Sequence, residues 1–303
     1  MPLIWQNRVI VSEWPTSKAA EFPPVYNSDV SPRYEKPANS VPIIALGRLG
    51  TLTLNNRPAD DAFIAMIDAS KEIIRMSLQD LGPVCVPKTK MALPGLKWPK
   101  VTLNALARAI WLRGVDVEIV VSNPGSIPGG LGMTEACYGN GWSCVDVASE
   151  IIKRVKKQFP KADDAALREK VELNLRVCFI RHDKKNTYAD GKTIGNHSKF
   201  FIIDDVAAYI GSQNLYMCDL AEWGVVVDDA SETEKMIKDF WNPLWQASFT
   251  GEDCDVQAVM DGLDIERDGE NVNALTLAGR EQAELAAVHG SNKSSSDFYS
   301  TEK

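Results

Sequence analysis

The sequence predicts an α/β protein in which a mixed β-sheet is flanked by helices on both faces. Residues 41–123 alternate between strand-like and helix-like stretches, which is typical of a layered sheet. Residues 199–211 then form two apolar runs with a turn signal at Asp204 and Asp205, which predicts a strand–turn–strand unit. The chain has 303 residues, of which 45% are hydrophobic, so it is long enough to bury one large core or two modest ones.

The individual elements follow from hydrophobic spacing and turn residues. Short apolar runs predict five further strands, at 41–47, 73–79, 115–123, 173–180 and 223–229. Apolar residues at helical spacing predict three helices, at 60–72, 101–114 and 145–159. Ser231 and Glu234 match a capping box, which predicts a last helix that runs to Phe240.

The two ends of the chain differ in composition from its middle. Residues 1–40 hold six of the sixteen prolines and show no helical period, which predicts an extended arm or an inter-lobe linker. Residues 250–303 are acidic and then rich in serine, which predicts a partly disordered tail with one helix near 273–288. The predicted folded lobe is therefore residues 41–249.

Charge and composition restrict the function classes. The net charge of −8 argues against a dedicated nucleic-acid binder, which usually carries a basic excess. We find no run of about 18 apolar residues that predicts a transmembrane helix, and the N-terminus lacks the pattern of a signal peptide. The six cysteines have no zinc spacing, and both buried thiols and one or two disulfides remain open. The Gly-rich loop at 124–132 lacks nucleotide-binding spacing and is interpreted as a surface loop.

The stretch 195–214 concentrates the residues that carry chemistry. His197 and Lys199 begin a predicted strand two residues apart, so their side chains share one face. This pair suits a phosphoryl group, because the ammonium neutralises non-bridging oxygens while the imidazole attacks phosphorus or protonates a leaving oxygen. Gly211, Ser212 and Asn214 follow the next strand. We expect the glycine to let the backbone approach the ligand, and the hydroxyl and the amide to hold the same oxygens.

Four further residues are candidates around this pair. Glu222 starts the next predicted strand, and a carboxylate there could accept a hydrogen bond from the imidazole and orient it. Asp204 belongs to the candidate catalytic set, although its place beside the turn favours a structural anchor over a proton carrier. Gln79 and Asp80 end another strand, where they either form the cleft rim or only shape the turn.

The full pattern H-x-K-x-x-x-x-D-x-x-x-x-x-x-G-S-x-N resembles the signature of the phospholipase D superfamily at all six positions. Stretches such as "GVDVEIVVSNP" and "FWNPLWQAS" extend this resemblance over 41–249, toward the second lobe of secreted, streptomycete-like phospholipases D. It implies a phosphodiesterase that hydrolyses glycerophospholipids such as phosphatidylcholine, or transfers the phosphatidyl group to another alcohol, with no metal or other cofactor. It also implies a phospholipid substrate at a membrane surface and no nucleic acid. Members with this lobe are typically exported, so the compartment stays open.

The resemblance further implies a second motif, because two motifs meet across a pseudo-twofold axis in such enzymes. One histidine forms a phosphohistidine, and the other, in the second-lobe position that His197 matches, acts as general acid and then as general base. The chain has two more histidines, His182 and His289. His182 has one residue too many between its lysine and aspartate, and His289 has no lysine two residues later.

Three explanations for the single motif remain open. The chain could pair with a missing N-terminal lobe, or two copies could pair about a twofold axis, as in single-motif nucleases. Alternatively, it could be an inactive half that binds lipid or a partner lobe. Trp98, Trp142 and Trp223 could form a lipid-facing lip, but burial is the commoner fate of aromatics and is expected here, above all for Trp223.

Overall fold

The structure, a computed structural model, describes residues 41–49, 58–86, 89–128, 137–138, 140–216 and 221–266. The strands in this part of the chain are β1 Ile43–Leu49, β2 Ile73–Leu78, β3 Asp116–Val121, β4 Ile127–Pro128, β5 Cys137–Tyr138, β6 Leu175–Phe179, β7 Lys199–Ile203, β8 Ala207–Gly211 and β9 Ala221–Asp228. Seven of them form one mixed sheet in the order β1-β9-β8-β7-β2-β3-β6, and β4 pairs with β5 separately. The pairs β2–β3 and β3–β6 are parallel, and the other pairs of the large sheet are antiparallel.

The helices among the described residues are α1 Pro58–Ala69, α2 Lys100–Arg108, α3 Cys144–Gln158, α4 Asp164–Asn174, α5 Ala230–Met236, α6 Asn242–Ser248 and α7 Val256–Asp261. A π-helical turn, Ala109–Arg113, extends α2, and another, Ile237–Trp241, joins α5 to α6. The first of these turns ends at Gly114, whose φ of 66° is left-handed and suits glycine.

Helices cover both faces of the large sheet, so the predicted fold class is confirmed. On one face, the helices α1 to α4 and α7 bury strand residues such as Ile119 and Phe201. On the other face, Val120 and Phe200 pack against Trp241 of the π-helical turn that follows α5. Neighbouring residues of β3 thus enter different cores, because strand side chains alternate between the faces.

The predicted strands and the first three predicted helices all form, with shifts of a few residues at their ends. One helix, α4, is missing from the prediction. Its large apolar residues give a weak signal, because Leu167 and Val171 are buried one turn apart whereas Leu173 is exposed.

The predicted start of the last helix is wrong. The N-cap is Asp229, whose side chain accepts a hydrogen bond of 2.9 Å from the Glu232 amide, rather than Ser231. Asp229 has the extended backbone that an N-cap requires, with φ of −155° and ψ of 117°. The helical segment also continues past Phe240 and ends at Ser248.

Residues 250–266 stay packed against the lobe. Met260 of α7 is buried in the main core, and the Arg168 guanidinium of α4 donates to the carbonyls of Ile265 and Glu266 at 3.0 and 2.9 Å. The arm at 1–40, the rest of the tail from 267 onward and the helix predicted near 273–288 lie outside the described residues.

Two further sequence expectations concern membrane-spanning helices and the state of the cysteines. None of the helices in the described ranges has both the length and the hydropathy that crossing a bilayer requires. The cysteines whose side chains are described, Cys85, Cys144, Cys178 and Cys254, are free thiols.

Candidate active site

The motif residues at 197–199 and 211–214 meet at one edge of the sheet. Lys199 begins β7 and pairs with Leu78 at the end of β2. Since β8 runs antiparallel to β7, its last residue, Gly211, comes to the same edge and pairs with Gly224 of β9. Chain reversal alone therefore brings together two parts of the motif that are separated by a whole hairpin.

The loop that carries His197 is held by a buried polar network. The Ser122 hydroxyl donates to the Asn196 carbonyl at 2.6 Å and accepts from its amide at 2.8 Å. The Asn196 side chain donates to the Ser77 hydroxyl at 3.0 Å and accepts from the Ser198 amide at 2.9 Å. Hydrogen bonds thus fix Asn196 and Ser198, the residues on both sides of His197. His197 itself is exposed to solvent.

The Lys199 side chain is buried beside this loop, with 7% of the residue exposed. Its ammonium donates to the side-chain oxygen of Gln79 at 2.8 Å and to the His197 carbonyl at 2.9 Å. The Gln79 amide nitrogen in turn donates to the Tyr216 hydroxyl at 3.1 Å. Gln79 is therefore a buried support of the lysine, where the sequence placed it as a candidate for the rim.

Electrostatics connect the two charged residues of the pair. Burial, and after it the positive charge of Lys199, lowers the pKa of His197. The lysine charge therefore acts at the imidazole, and the same positive charge favours an anion that binds there. A lowered pKa also makes the imidazolium a stronger acid than a free histidine.

Asp80, the other candidate for the rim, is buried and holds a neighbouring segment of backbone. Its carboxylate accepts from the Asn140 amide at 2.6 Å, and the Asn140 side chain donates to the Gly82 carbonyl at 2.8 Å. Trp142 and Trp98 pack together over Gly82, with ring centroids 4.8 Å apart. Asp80 thus ties the loop after β2 to the segment before α3.

Gly211 is required by packing within the protein. A Cβ atom at this position would lie 2.0 Å from the Tyr209 hydroxyl oxygen and 2.7 Å from the Gly224 Cα. A Cβ atom at Gly224 would likewise lie 2.4 Å from the same hydroxyl. The two facing glycines make room for a buried tyrosine, which is a different reason from the close approach of a ligand that the sequence suggested.

Ser212 and Asn214 follow Gly211 at the same edge. The Ser212 hydroxyl donates to the Trp223 carbonyl at 3.1 Å and accepts from its amide at 3.0 Å. Asn214 is buried, and within the described part of the chain its side-chain oxygen has no hydrogen-bond partner. The expectation that Trp223 is buried is wrong, since this residue is 69% exposed beside Ser212.

Asp204 lies at the opposite end of β7 from Lys199. The two positions are five residues apart along an extended chain, which is about 17 Å at the usual rise. Its carboxylate accepts hydrogen bonds from the backbone amides of Lys71, Glu72 and Ile73, at 2.8, 2.8 and 3.0 Å. The structure thus does not bring Asp204 to the site, and a catalytic role for it is not compatible with this placement.

Glu222 binds an arginine that the sequence analysis did not identify. One carboxylate oxygen accepts from Nε of Arg48, on β1, at 2.9 Å, and the other accepts from the Asn214 amide at 3.4 Å. Glu222 therefore hydrogen-bonds to Arg48 and to the Asn214 amide, and not to the His197 imidazole as expected. An isolated arginine in an apolar strand has no motif around it, so only the fold reveals its position.

The remaining candidates do not add a second motif. The side chain of His182 is 79% exposed and lies 3.4 Å from the adjacent Asp183, and His289 lies outside the described residues. No group of three or more His, Cys, Asp or Glu side chains within the described ranges could hold a metal ion.

Comparisons of the sequence with known proteins give two matches. The family model described as "Cardiolipin synthase, PLD-like domain" matches residues 63–245. A phospholipase D from Streptomyces antibioticus is 28% identical over 193 residues, which cover 63% of this chain and 32% of that protein. The chain therefore spans about a third of the length of this curated relative.

Three solved structures are similar at low sequence identity. Nuc from Salmonella typhimurium, described as a phospholipase D family member, has a TM-score of 0.38 at 16% identity, covering 69% of this chain and 97% of its own. NucT from Helicobacter pylori has a TM-score of 0.38 at 14% identity, covering 68% and 98%. A phosphatidylserine synthase from Haemophilus influenzae Rd KW20 has a TM-score of 0.43 at 14% identity, covering 83% and 48%.

Proposed function

The chain belongs to the phospholipase D-like domain family, and on this premise we propose that it supplies one half of the active site of a phospholipase D-type phosphodiesterase. The proposed substrates are glycerophospholipids such as phosphatidylcholine, which are hydrolysed or transphosphatidylated. The observation that carries the proposal is the pair at the sheet edge, an exposed His197 imidazole beside the buried and fixed Lys199 ammonium.

The pair suits a phosphodiester because its members divide the work. Lys199 is held by the Gln79 side chain and the His197 carbonyl, so its charge is already in place when a phosphate binds. A preorganised charge in a buried position stabilises the developing negative charge more than a mobile surface lysine would. The Asn214 side chain at the same edge is the proposed neutral partner of the phosphate oxygens.

In the proposed reaction, a histidine from the second half attacks phosphorus and forms a P–N bond, while the P–O bond to the headgroup alcohol breaks. The protonated His197 donates its proton to the departing alcohol oxygen. His197, now neutral, accepts a proton from water, or from an acceptor alcohol, as that oxygen attacks phosphorus and the P–N bond breaks. The same imidazole serves as acid and then as base, which agrees with its solvent-exposed position.

The second half must come from outside this motif, because the sequence contains one H-x-K-x-x-x-x-D pattern. Members of this superfamily often work as dimers or as paired lobes, so we propose either a second copy of this chain or a separate motif-bearing lobe. In a homodimer, one copy of His197 would attack phosphorus and the other would protonate the alcohol. A monomer of this chain is then expected to have little or no turnover.

The experiment measures choline release from a short-chain, soluble phosphatidylcholine, with the oligomeric state determined by light scattering on the same sample. We expect H197N to reduce the rate of choline release by about 10²-fold to 10⁴-fold or more. H182N is the matched control, because it removes an exposed histidine outside the site and should leave activity unchanged.

Two results would contradict the proposal. Activity that survives H197N would remove His197 from the reaction, and robust turnover by a sample shown to be monomeric would remove the need for a second half. A parallel assay with single-stranded and double-stranded DNA distinguishes a nuclease, since cleavage of DNA without choline release would overturn the assignment to phospholipids.

A further inference from the structure

A buried arginine on β1 forms hydrogen bonds to the Gly-Ser-x-Asn loop and to Glu222. Arg48 is 2% exposed. Its guanidinium donates to the Glu222 carboxylate from Nε at 2.9 Å, to an Asp60 carboxylate oxygen at 2.9 Å and to the Asn214 carbonyl at 2.7 Å. One side chain thus joins β1, α1, β9 and the loop of the Gly-Ser-x-Asn motif.

The network holds the backbone of Asn214 from both sides. The Arg48 guanidinium donates to the Asn214 carbonyl. The Asn214 amide donates at 3.4 Å to the carboxylate of Glu222, which is itself bound to Arg48. The side chain of Asn214 is not used in this support, since its oxygen has no partner among the described residues. The backbone is therefore held by Arg48 and Glu222, and the side-chain NH2 group of Asn214 is the donor that a phosphate oxygen requires.

The charges of this network keep the Arg48 guanidinium protonated. Burial opposes the charge, but the carboxylates of Asp60 and Glu222 outweigh it, and the pKa of Arg48 is raised above its usual value. The fork of the guanidinium matches carboxylate and carbonyl acceptors in fixed directions, which a lysine ammonium does not. Buried ion pairs often stabilise a fold no better than apolar side chains do, so stability alone is a weak reason for this one.

We infer that Arg48 is a positioning residue of the site, which sets the Gly-Ser-x-Asn loop through Asn214 and Glu222 so that Asn214 can bind a phosphate oxygen. This inference rests on the proposed function for the identity of the ligand. The placement of the loop by Arg48 can be tested without catalysis. It also assigns Glu222 to the support of the phosphate pocket.

The test uses inorganic phosphate as the probe, with its affinity read from the NMR shifts of the His197 imidazole. A second readout, hydrogen exchange of the Ser212 and Asn214 amides, reports on the loop without any ligand. For R48M we expect about a tenfold or larger loss of phosphate affinity, as for the loss of a hydrogen bond to a charged group, together with faster exchange in the loop. R48K should recover only part of both, because it keeps the charge but lacks the fork.

Controls separate positioning from simple stability. The double variant R48M/E222M replaces the buried pair by apolar groups, which is often tolerated by a fold, and we expect it to be folded and still weak in phosphate binding. R108M removes a partly buried pair with Asp68 away from the site and should change neither readout. Wild-type affinity and exchange in R48M or in the double variant would overturn the inference.

The two readouts distinguish a failure of the proposed function from a failure of the inference about Arg48. If the wild-type chain does not bind phosphate at all, the proposed function is in doubt, whereas faster loop exchange in R48M would still support the placement of the loop by Arg48. If the wild type binds phosphate and R48M leaves both affinity and exchange unchanged, the inference about Arg48 fails and the proposed function stands.

Discussion

Replacing Asp204 by alanine should lower stability strongly and leave the chemistry intact. The carboxylate accepts from three consecutive backbone amides, Lys71, Glu72 and Ile73, that lead into β2. It thereby ties the β7–β8 turn to the start of the neighbouring strand. The residue also has a φ of 49°, a left-handed conformation that aspartate tolerates better than alanine.

The magnitude follows from these two effects. Two of the three hydrogen bonds are solvent-exposed, so we take about 1 kcal/mol for each bond, which is typical of a neutral pair and below the usual value for a charged acceptor. The left-handed backbone adds about 1 kcal/mol for alanine. The free energy of unfolding should therefore fall by about 4 kcal/mol in D204A.

The control is D183A, because Asp183 has nearly the same backbone, with φ of 48°, and a side chain that is 85% exposed. It should lose only about 1 kcal/mol from the backbone effect. The difference of about 3 kcal/mol corresponds to a Tm lower by about 6–12 °C for a domain of this size. Thermal unfolding followed by circular dichroism measures it.

Activity per folded molecule gives the second half of the test. Choline release by D204A, measured well below its Tm, should match that of the wild type, since the carboxylate lies at the far end of β7. A D204A protein as stable as D183A would refute the hydrogen-bond reasoning. A stable D204A protein with no activity would instead return Asp204 to the reacting atoms.

Two further predictions follow from contacts at the site. G211A should be destabilised by about 3 kcal/mol or more, because its Cβ would lie 2.0 Å from the Tyr209 hydroxyl. G262A is the control, since its Cβ would be 3.5 Å from the nearest atom. An equal Tm on heating, or an equal midpoint in chemical denaturation, for the two variants would contradict the packing reason. K199M should raise the pKa of His197, since the lysine charge is the second cause of its lowering after burial. NMR titration of the imidazole tests the sign, and an unchanged or lower pKa would exclude the coupling.

The sequence predicted the elements well where the signal is local. Two apolar runs and a turn at Asp204 and Asp205 were enough for the β7–β8 hairpin, and both aspartates have the positive φ that such a turn needs. The prediction failed for α4 and for the N-cap at Asp229. For α4, tertiary contacts decide, because a helix with few apolar residues is selected by what it packs against. The N-cap is a local contact between Asp229 and the Glu232 amide, and the prediction chose a competing capping residue, Ser231, two positions later.

The candidate site divides in the same way. His197 and Lys199 share a face because they are two residues apart in the sequence, and this could be predicted from strand geometry. The partners that hold them, Gln79 and Ser122, come from other strands and carry no motif of their own. Their roles depend on which strands are neighbours, which no local pattern specifies.

By itself, the sequence determined the type and order of most elements, the motif that places the chain in its family, and the pairing of an imidazole with an ammonium. The tertiary structure alone decided which backbone amides Asp204 binds, that Gly211 makes room for a tyrosine, and that Arg48 reaches Asn214 across 166 positions of the chain. The physical reason is the range of the forces involved. Periodicity and turn chemistry act between near neighbours, whereas burial and the closing of a polar network depend on residues that only the folded sheet brings into contact.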